Sequence, residues 1–292
     1  MKIYAQGAKS ISSDTLVIGP WKPVEPDFGI PVNDTIPPRV EVLWGQDFPE
    51  GYFCPNKKSG CVQTATAMAM AYLEYPNSIP LTYNKRDKET EFLNWKRLKL
   101  HKRSIFDEDE SCVCTLSKEE HFAIGRLCRQ IAEINLAEFI VADKPEDNAT
   151  SVNGNKHMLA INKYLSYKVK YTHDNGIGGL SLYEELFAGN RIALLGGAEK
   201  IAKNKYEGHV WLCDGGRRRG IYNVKGKLIN GESAYYVGDI YLHYNWGWCG
   251  RSNGYFSSNI FDSNRAYEYD GYGKSYPGGD FSLKQWCVVF EK

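Results

Sequence analysis

A cysteine at the start of an apolar helix is the first group in this sequence that could do covalent chemistry. Cys61 follows Ser-Gly and opens the stretch GCVQTATAMAMAYLEYP, whose small apolar residues predict a buried helix over residues 61–74. The start of a helix carries unpaired N–H groups and partial positive charge, which favour a thiolate over a thiol. Cysteine is also a common core residue, so this stretch alone leaves both a nucleophile and a buried thiol open.

A thiolate nucleophile needs a base or an ion-pair partner, and the chain has six histidines. Four of them lie in polar or charged stretches and are predicted to be surface residues: His101, His121, His157 and His173. His209 opens the apolar run HVWLCDGG, where a strand could hold its imidazole toward a cleft. His243 competes for the same role. It lies two residues before Asn245 on the same strand face, which is a poor geometry for being oriented by that residue.

The stretch LHYNWGWCGRSNGYF supplies a third group. The amide of Asn245 could hold the imidazole and fix its tautomer, while Trp246 and Trp248 could shield that hydrogen bond from water. A strand end that only packs a core could have the same composition. Cys61, His209 and Asn245 follow the order of papain-like enzymes, and the interval from 61 to 209, which is 148 residues, is near the expected one.

The elements that must position these residues change type along the chain. Two helices are predicted to open with capping-box spacing, at Ser117 with Glu120 and at Ser181 with Glu184. Another helix is predicted at residues 155–167, and the charged residues 84–110 are predicted to be exposed. After residue 190, β-branched and aromatic runs between glycines predict strands. Helices followed by strands indicate an α+β fold.

The composition disfavours several function classes. A balance of 36 basic and 35 acidic residues gives no electrostatic basis for binding nucleic acid or an anionic membrane. No apolar run reaches the roughly 18 residues that span a bilayer. The eight cysteines are too few for a disulfide scaffold, and Cys112 and Cys114 lack the spaced partners of a zinc site, so buried or incidental thiols are expected. The absence of an H-E-x-x-H motif disfavours a metal-dependent hydrolase.

Taken together, the motifs resemble those of the streptopain family of cysteine peptidases. The family stretches G-C-V-A-T-A-x-A-Q-x-M-x-Y-x-x-Y-P, G-H-A-x-x-x-D-G and N-W-G-W-x-G correspond to GCVQTATAMAMAYLEYP, GHVWLCDG and NWGWCG. Upstream, W-x-Q-x-x-P-Y followed by C-P corresponds to WGQDFPEGYFCP, which puts Gln46 on the family's oxyanion-hole glutamine. The matches run from about Trp44 to Gly254. The departures at Gln63 and Met68 concern pocket shape and helix packing.

The resemblance implies a cysteine endopeptidase with a papain-like two-part fold, whose helical half and antiparallel sheet half enclose the active-site cleft. Cys61 would attack a peptide carbonyl and form an acyl-enzyme, with His209 as the base. Asn245 would orient His209, and Trp246 would cover them. Gln46 and the Cys61 N–H would stabilise the oxyanion. No cofactor or metal ion is expected.

The resemblance also carries expectations about partners, domains and location. Substrates would be proteins or peptides with an apolar residue two positions before the scissile bond, and a protein inhibitor or a pro-domain is a possible partner. A secreted, periplasmic or cell-surface zymogen is expected, although the chain opens without a signal peptide. Residues 1–40 are predicted to be an extended arm or the remnant of a pro-segment, and residues 41–292 the peptidase domain.

Two other functions would use the same residues. A cysteine acyltransferase would share the triad and differ only in the group that attacks the acyl-enzyme. A catalytically silent binding module on this fold could use the 20 tyrosines as a recognition surface. The joint presence of Cys61, His209, Asn245 and Gln46 favours an enzyme over a silent module.

Overall fold

The central element of the fold is a large antiparallel sheet with helices against both faces. A computed structural model describes residues 3–4, 30–83, 89–104, 116–175, 177–228, 231–274 and 278–292. Cys112 and Cys114 lie outside these described residues. The combination of helices with an antiparallel sheet confirms the predicted α+β class.

The strands of the described residues form one large sheet and two small hairpins. In chain order the strands are β1 Ile3–Tyr4, β2 Ile30–Ile36, β3 Ser78–Pro80, β4 Thr90–Phe92, β5 Glu138–Ile140, β6 Ala149–Ser151, β7 Val169–His173, β8 Arg191–Ala202, β9 Lys205–Leu228, β10 Gly231–Asn245, β11 Gly254–Ser257, β12 Glu268–Tyr269 and β13 Leu283–Glu291. The large sheet has the order β12-β11-β10-β9-β8-β13-β7, with β1 on β10 and β2 on β9, while β3 pairs with β4 and β5 with β6.

The helices precede most of the sheet in the chain. The α-helices are α1 Cys61–Leu73, α2 Trp95–Leu98, α3 Lys118–Ile134, α4 Met158–Ala160 and α5 Gly179–Phe187. The predicted helix at 155–167 is an irregular helical region, in which α4 is flanked by 3-10 turns at Gly154–His157 and Ser166–Lys168 and by a π-helix at Ile161–Leu165. No helix among the described residues is long and apolar enough to cross a membrane.

Helix α1 lies at the centre of the molecule, as its composition predicts. Its residues are buried except for Cys61 and Tyr72, which are partly exposed. The helix ends at Leu73, where Glu74 adopts a left-handed backbone two residues before Pro76. Its alanines let α1 lie close to α3 and to strands β8 and β9.

Alternation along the strands gives the sheet two apolar faces. Leu194, Leu212 and Val288 belong to the core that contains α1, whereas Leu195 and Trp211 belong to the core that contains α5. Successive side chains of a strand point to opposite faces, so one sheet can support both layers. Strands β8 and β9 contact α1 on one of these two faces.

Only one of the two predicted capping boxes forms. The Ser117 hydroxyl accepts a hydrogen bond from the Glu120 N–H at 3.3 Å, and the Glu120 carboxylate accepts one from the Ser117 N–H at 2.8 Å. The box predicted at Ser181 is wrong, because α5 already begins at Gly179. The first turn of α5 packs closely against Ser258, because a side chain at Gly179 would overlap that residue.

Two segments outside the predicted helices and strands contribute to the packed structure. In the N-terminal segment, Ile30–Ile36 forms strand β2 and pairs with β9. The prediction that residues 84–110 are exposed is wrong for part of its described portion. Trp95 and Leu98 are buried, and His101, predicted to be a surface residue, is only 2% exposed. The apolar side of α2 packs into the α1 core and draws the segment inward.

Candidate active site

Cys61 lies where the helix start and the sheet meet. It is the first residue of α1 and is partly exposed, after Gly60, whose φ of 91° favours glycine. Burial raises the pKa of the Cys61 thiol, although the backbone N–H groups of Val210, Val62 and Cys61 itself face the sulfur and partly offset this effect. The thiol is therefore protonated at rest, with donors already in place for a thiolate.

His209 opens the buried part of β9 and precedes Val210, whose backbone N–H faces the Cys61 sulfur. Its Nε2 is 2.9 Å from the carbonyl oxygen of Trp246. A carbonyl oxygen can only accept a hydrogen bond, so Nε2 carries the proton and Nδ1 is the basic nitrogen of the neutral ring. Burial lowers the pKa of His209 to about 4, and the Trp246 carbonyl only partly counteracts it. The imidazole is therefore neutral at pH 7.

Aromatic rings enclose the imidazole. The ring centroid of Trp248 is 4.6 Å from that of His209, Phe281 is at 5.0 Å and Trp246 at 5.9 Å. Trp246 is fully buried. The rings exclude water and hold the imidazole plane, which strengthens any charge interaction at this position.

Asn245 contacts the backbone around the histidine rather than the imidazole. Its Nδ2 donates to the Val42 carbonyl at 3.2 Å, and its Oδ1 accepts from the Gly247 N–H at 3.2 Å. The hydrogen bond expected between Asn245 and His209 is replaced by the one from His209 to the Trp246 carbonyl. Asn245 thus braces the turn whose carbonyl holds the imidazole.

Gln46 lies on the chain segment that faces helix α1. The Gln46 carbonyl accepts a hydrogen bond from the Ser59 N–H at 2.8 Å, and the Gly45 carbonyl accepts one from the Thr64 hydroxyl at 2.8 Å. Because Ser59 precedes α1 and Thr64 belongs to it, these bonds tie the segment to the helix that begins with Cys61.

One cleft of about 470 Å³ brings three of the five predicted site residues together. Cys61, His209 and Gln46 all line it, whereas Asn245 and Trp246 lie behind its wall. Trp248 and Phe281 supply apolar surface. The lining also carries carboxylates that sequence reasoning did not single out, which are Asp47, Glu146, Glu199 and Glu207. Of these, Asp47 is paired with Lys58.

Sequence reasoning also missed the part of the cleft wall formed by Gly278, Gly279 and Phe281. The sequence does contain a glycine-rich stretch before the last strand, and this stretch leads into the cleft wall. A side chain at Gly279 would approach the Glu199 carboxylate and the Phe281 ring to 2.7 Å, so this glycine permits a close approach of the loop to the strands.

One further cysteine, Cys249, also lines the cleft. The described cysteines other than Cys61 are buried thiols, namely Cys54, Cys128, Cys213, Cys249 and Cys287. No group of three His, Cys, Asp or Glu residues in the described part of the chain is arranged to hold a metal ion.

Comparisons with known proteins give one family. Residues 44–256 match the model of the Peptidase C10 family. The chain is 22% identical over 244 residues to the thiol protease/hemagglutinin PrtT of Porphyromonas gingivalis, covering 76% of this chain and 23% of that protein. The chain therefore spans about a quarter of the length of this curated relative.

Two solved structures share the fold. The active wild-type interpain A cysteine protease of Prevotella intermedia superposes with a TM-score of 0.55 at 17% identity, over 87% of this chain and 94% of the other. A prointerpain A fragment from the same organism gives a TM-score of 0.50 at 17% identity, over 87% and 71% of the two chains. This likeness extends the two-part arrangement of helices and sheet to nearly the whole described chain.

Proposed function

The chain belongs to the Peptidase C10 family and is a cysteine peptidase, and we propose that it is an endopeptidase acting through a Cys61 thiolate and an acyl-enzyme. The observation that carries this proposal is the joint lining of one cleft by a helix-start thiol and a neutral imidazole. An open cleft of about 470 Å³ suits an extended peptide segment rather than a small enclosed ligand.

In the proposed first step, His209 acts as a general base. Burial keeps the Cys61 thiol and the His209 imidazole neutral before the reaction. The thiolate therefore has to form during the reaction, when the proton passes from Sγ to Nδ1 as the substrate binds. The sulfur then attacks the peptide carbonyl carbon. The N–H groups of Val62 and Val210 that face the sulfur lower the cost of the thiolate.

In the later steps the same residues act again, and His209 first returns its proton as a general acid. The Gln46 side chain and the Cys61 N–H donate hydrogen bonds to the oxyanion of the tetrahedral intermediate. The His209 imidazolium then protonates the leaving amine, and the C–N bond breaks to leave an acyl-enzyme. Water, deprotonated by His209, hydrolyses the thioester and releases Cys61.

Asn245 and Trp246 are proposed to keep His209 in its working orientation. The Trp246 carbonyl accepts a hydrogen bond from the His209 Nε2–H, which leaves Nδ1 free to take the proton from Cys61. Asn245 acts one step further back, because its hydrogen bonds to Val42 and Gly247 fix the turn that presents this carbonyl.

The cleft wall supports a proposal about substrates. Trp248 and Phe281 offer apolar surface for the apolar residue expected two positions before the scissile bond. Glu199 and Glu207 are direct cross-strand neighbours on β8 and β9, and both line the cleft. Like charges in such a pair repel each other, so a basic substrate side chain nearby would relieve that repulsion.

We also propose a domain organisation for the chain and its export from the cell. Residues 41–292 would form the peptidase domain, and residues 1–40 an arm or the remnant of a pro-segment from a secreted zymogen. The prointerpain fragment, named as a proenzyme, supports the idea of a pro-segment. An inactive precursor that gains activity on N-terminal processing would be the expected observation, and full activity of the longest natural form would refute it.

The proposal is tested by comparing Cys61→Ala with Cys128→Ala, which changes a fully buried thiol on α3. Cys61→Ala should abolish casein cleavage, and Cys128→Ala should retain it. Cleavage by Cys61→Ala at the parent rate would refute the proposal. Adding glycine methyl ester and analysing the products by mass spectrometry separates hydrolysis from acyl transfer, since transferred products carry the added amine.

A further inference from the structure

A buried polar cluster lies directly behind the segment that carries Gln46. It consists of Glu50, His101 and Ser104, whose exposed fractions are 0%, 2% and 1%. These residues come from two chain segments that flank residues 44–46, and none of them lines the cleft. A polar cluster this deeply buried costs free energy unless its hydrogen bonds compensate.

The hydrogen bonds of the cluster include the backbone N–H group of Gly45. The Ser104 hydroxyl donates to Glu50 Oε1 at 2.5 Å. The Ser104 oxygen then accepts from the Gly45 N–H at 3.2 Å and is 3.2 Å from His101 Nε2. The cluster therefore fixes the position of the peptide group that precedes Gly45.

The Gly45 residue is held from two sides. Its N–H donates a hydrogen bond to the Ser104 hydroxyl, and its carbonyl accepts one from the hydroxyl of Thr64 on α1 at 2.8 Å. A side chain at Gly45 would overlap the Cys249 sulfur, so the segment also fits tightly against the neighbouring turn. The next residue is Gln46, and its position relative to Cys61 follows from how Gly45 is held.

The charge state of the cluster suits a rigid support. Burial raises the pKa of Glu50 to about 8, so its carboxyl group is protonated at pH 7. Burial lowers the pKa of His101 to about 3, so this imidazole is neutral. Because both groups are neutral, neither contributes charge to the reaction. The cluster can therefore act only through its hydrogen bonds.

We propose that Ser104 and Glu50 are positioning residues of the oxyanion hole, which hold the Gly45 N–H and thereby direct the Gln46 side chain toward the reacting carbonyl. This inference rests on the proposed role of Gln46 in catalysis. Neither Ser104 nor Glu50 lines the cleft, so the role proposed for them is to position Gln46 and not to touch the reacting atoms.

The proposal makes a specific kinetic prediction. Gln46→Ala should lower kcat about 10²–10³-fold with little change in KM. Ser104→Ala should lower kcat about tenfold, the effect of one lost hydrogen bond. In the Gln46→Ala background, Ser104→Ala should cause no further loss. Alkylation of Cys61 by iodoacetamide forms no oxyanion, so its rate should be unchanged in all three variants.

The experiment is a double-mutant cycle of Ser104→Ala and Gln46→Ala, with urea unfolding of each variant. Ser117→Ala, which removes the hydroxyl of the α3 capping box, is the matched control for destabilisation without a kinetic effect. If Ser104→Ala fails to fold, Glu50→Gln enters the cycle in its place, because the amide keeps an acceptor for the Ser104 hydroxyl. Its loss of kcat should be smaller than that of Glu50→Ala and should vanish in the Gln46→Ala background.

Equal losses of kcat with and without Gln46 would overturn the inference, as would a parallel loss of the alkylation rate. Either result would mean that the cluster supports the fold or the nucleophile in general. Failure of the proposed function itself gives a different result, which is casein cleavage by Cys61→Ala at the parent rate.

Discussion

His209 and His243 are both buried histidines on neighbouring strands, yet their surroundings leave His209 neutral and His243 positively charged at pH 7. His209 on β9 has a backbone carbonyl and aromatic rings around it, and burial lowers its pKa to about 4. Burial also disfavours the charged form of His243 on β10. The carboxylates of Asp214 at 2.6 Å and Asp270 at 3.1 Å outweigh that effect and raise its pKa to about 9.

The difference shows what separates a base from a structural cation. A ring that already carries both protons cannot accept one from a thiol, so His243 cannot serve as the base at pH 7. Instead, the charged ring bridges the carboxylates of Asp214 and Asp270. Asp214 also accepts a hydrogen bond from the Val40 N–H at 2.9 Å. His243 thus holds three chain segments together, whereas His209 is left neutral at the cleft.

The largest expected effect comes from removing the neutral histidine. His209→Ala should lower kcat/KM at least about 10⁴-fold, because it removes the proposed base and the proposed acid together. Circular dichroism should show an intact fold. His209→Ala with activity within tenfold of the parent would mean that another residue accepts the thiol proton.

Removing the charged histidine should act on stability. His243→Ala leaves the Asp214 carboxylate buried without its cation, so the free energy of unfolding should fall by about 3–5 kcal/mol. The kcat per folded molecule should change less than tenfold. Urea unfolding and titration of reactive sites with a peptidyl epoxide measure the two quantities. A loss of kcat as large as that of His209→Ala would remove the distinction between the histidines.

The two histidines should also give opposite pH dependences of stability. The folded-state pKa of His243 is raised, so its contribution is complete below pH 6.5 and is lost as the pH rises to about 9. The folded-state pKa of His209 is lowered, so its contribution is present above pH 6.5 and is lost as the pH falls to about 4. Each amounts to about 3 kcal/mol over its window.

Urea unfolding of the His209→Gln and His243→Gln variants between pH 4 and 10 isolates these contributions. The destabilisation by His243→Gln should shrink as the pH rises from 6.5 to 9. The stability of His209→Gln relative to the parent should improve as the pH falls from 6.5 to 4. Parallel changes in both variants would contradict the assigned charge states.

The smallest effect is expected at Asn245. Because the Trp246 carbonyl holds the imidazole, Asn245→Ala should lower kcat less than about tenfold and destabilise the protein by about 1–2 kcal/mol through the lost hydrogen bonds to Val42 and Gly247. Asn245→Asp is the companion variant that keeps an acceptor for the Gly247 N–H. A loss above about 10³-fold in Asn245→Ala would favour a direct bond to His209 during the reaction.

Local patterns predicted helix α1 and the order of helices and strands. The apolar run after Cys61 and the capping box at Ser117 are signals within a few residues, and both elements form as expected. The burial of His101 could not be predicted in this way, because it depends on α2 packing into the α1 core from within a charged stretch.

The charge of the two strand histidines was equally hidden in the sequence. Both precede apolar residues, and nothing local marks His243 as the charged one. Its partners Asp214 and Asp270 lie 29 and 27 residues away and meet it only through the sheet and the loop beyond it. The carbonyl that holds His209 belongs to the backbone of Trp246, which no residue pattern reveals.

The most direct test of the account is mass spectrometric mapping of a peptidyl epoxide on the native protein, with casein cleavage followed in the same samples. One adduct should form, on the peptide that contains Cys61, and cleavage should fall in proportion to its occupancy. His209→Ala should slow the labelling strongly, whereas His243→Ala should label at a rate near that of the parent. Labelling of another cysteine with loss of cleavage, or full cleavage after Cys61 is modified, would contradict the claim that Cys61 is the nucleophile.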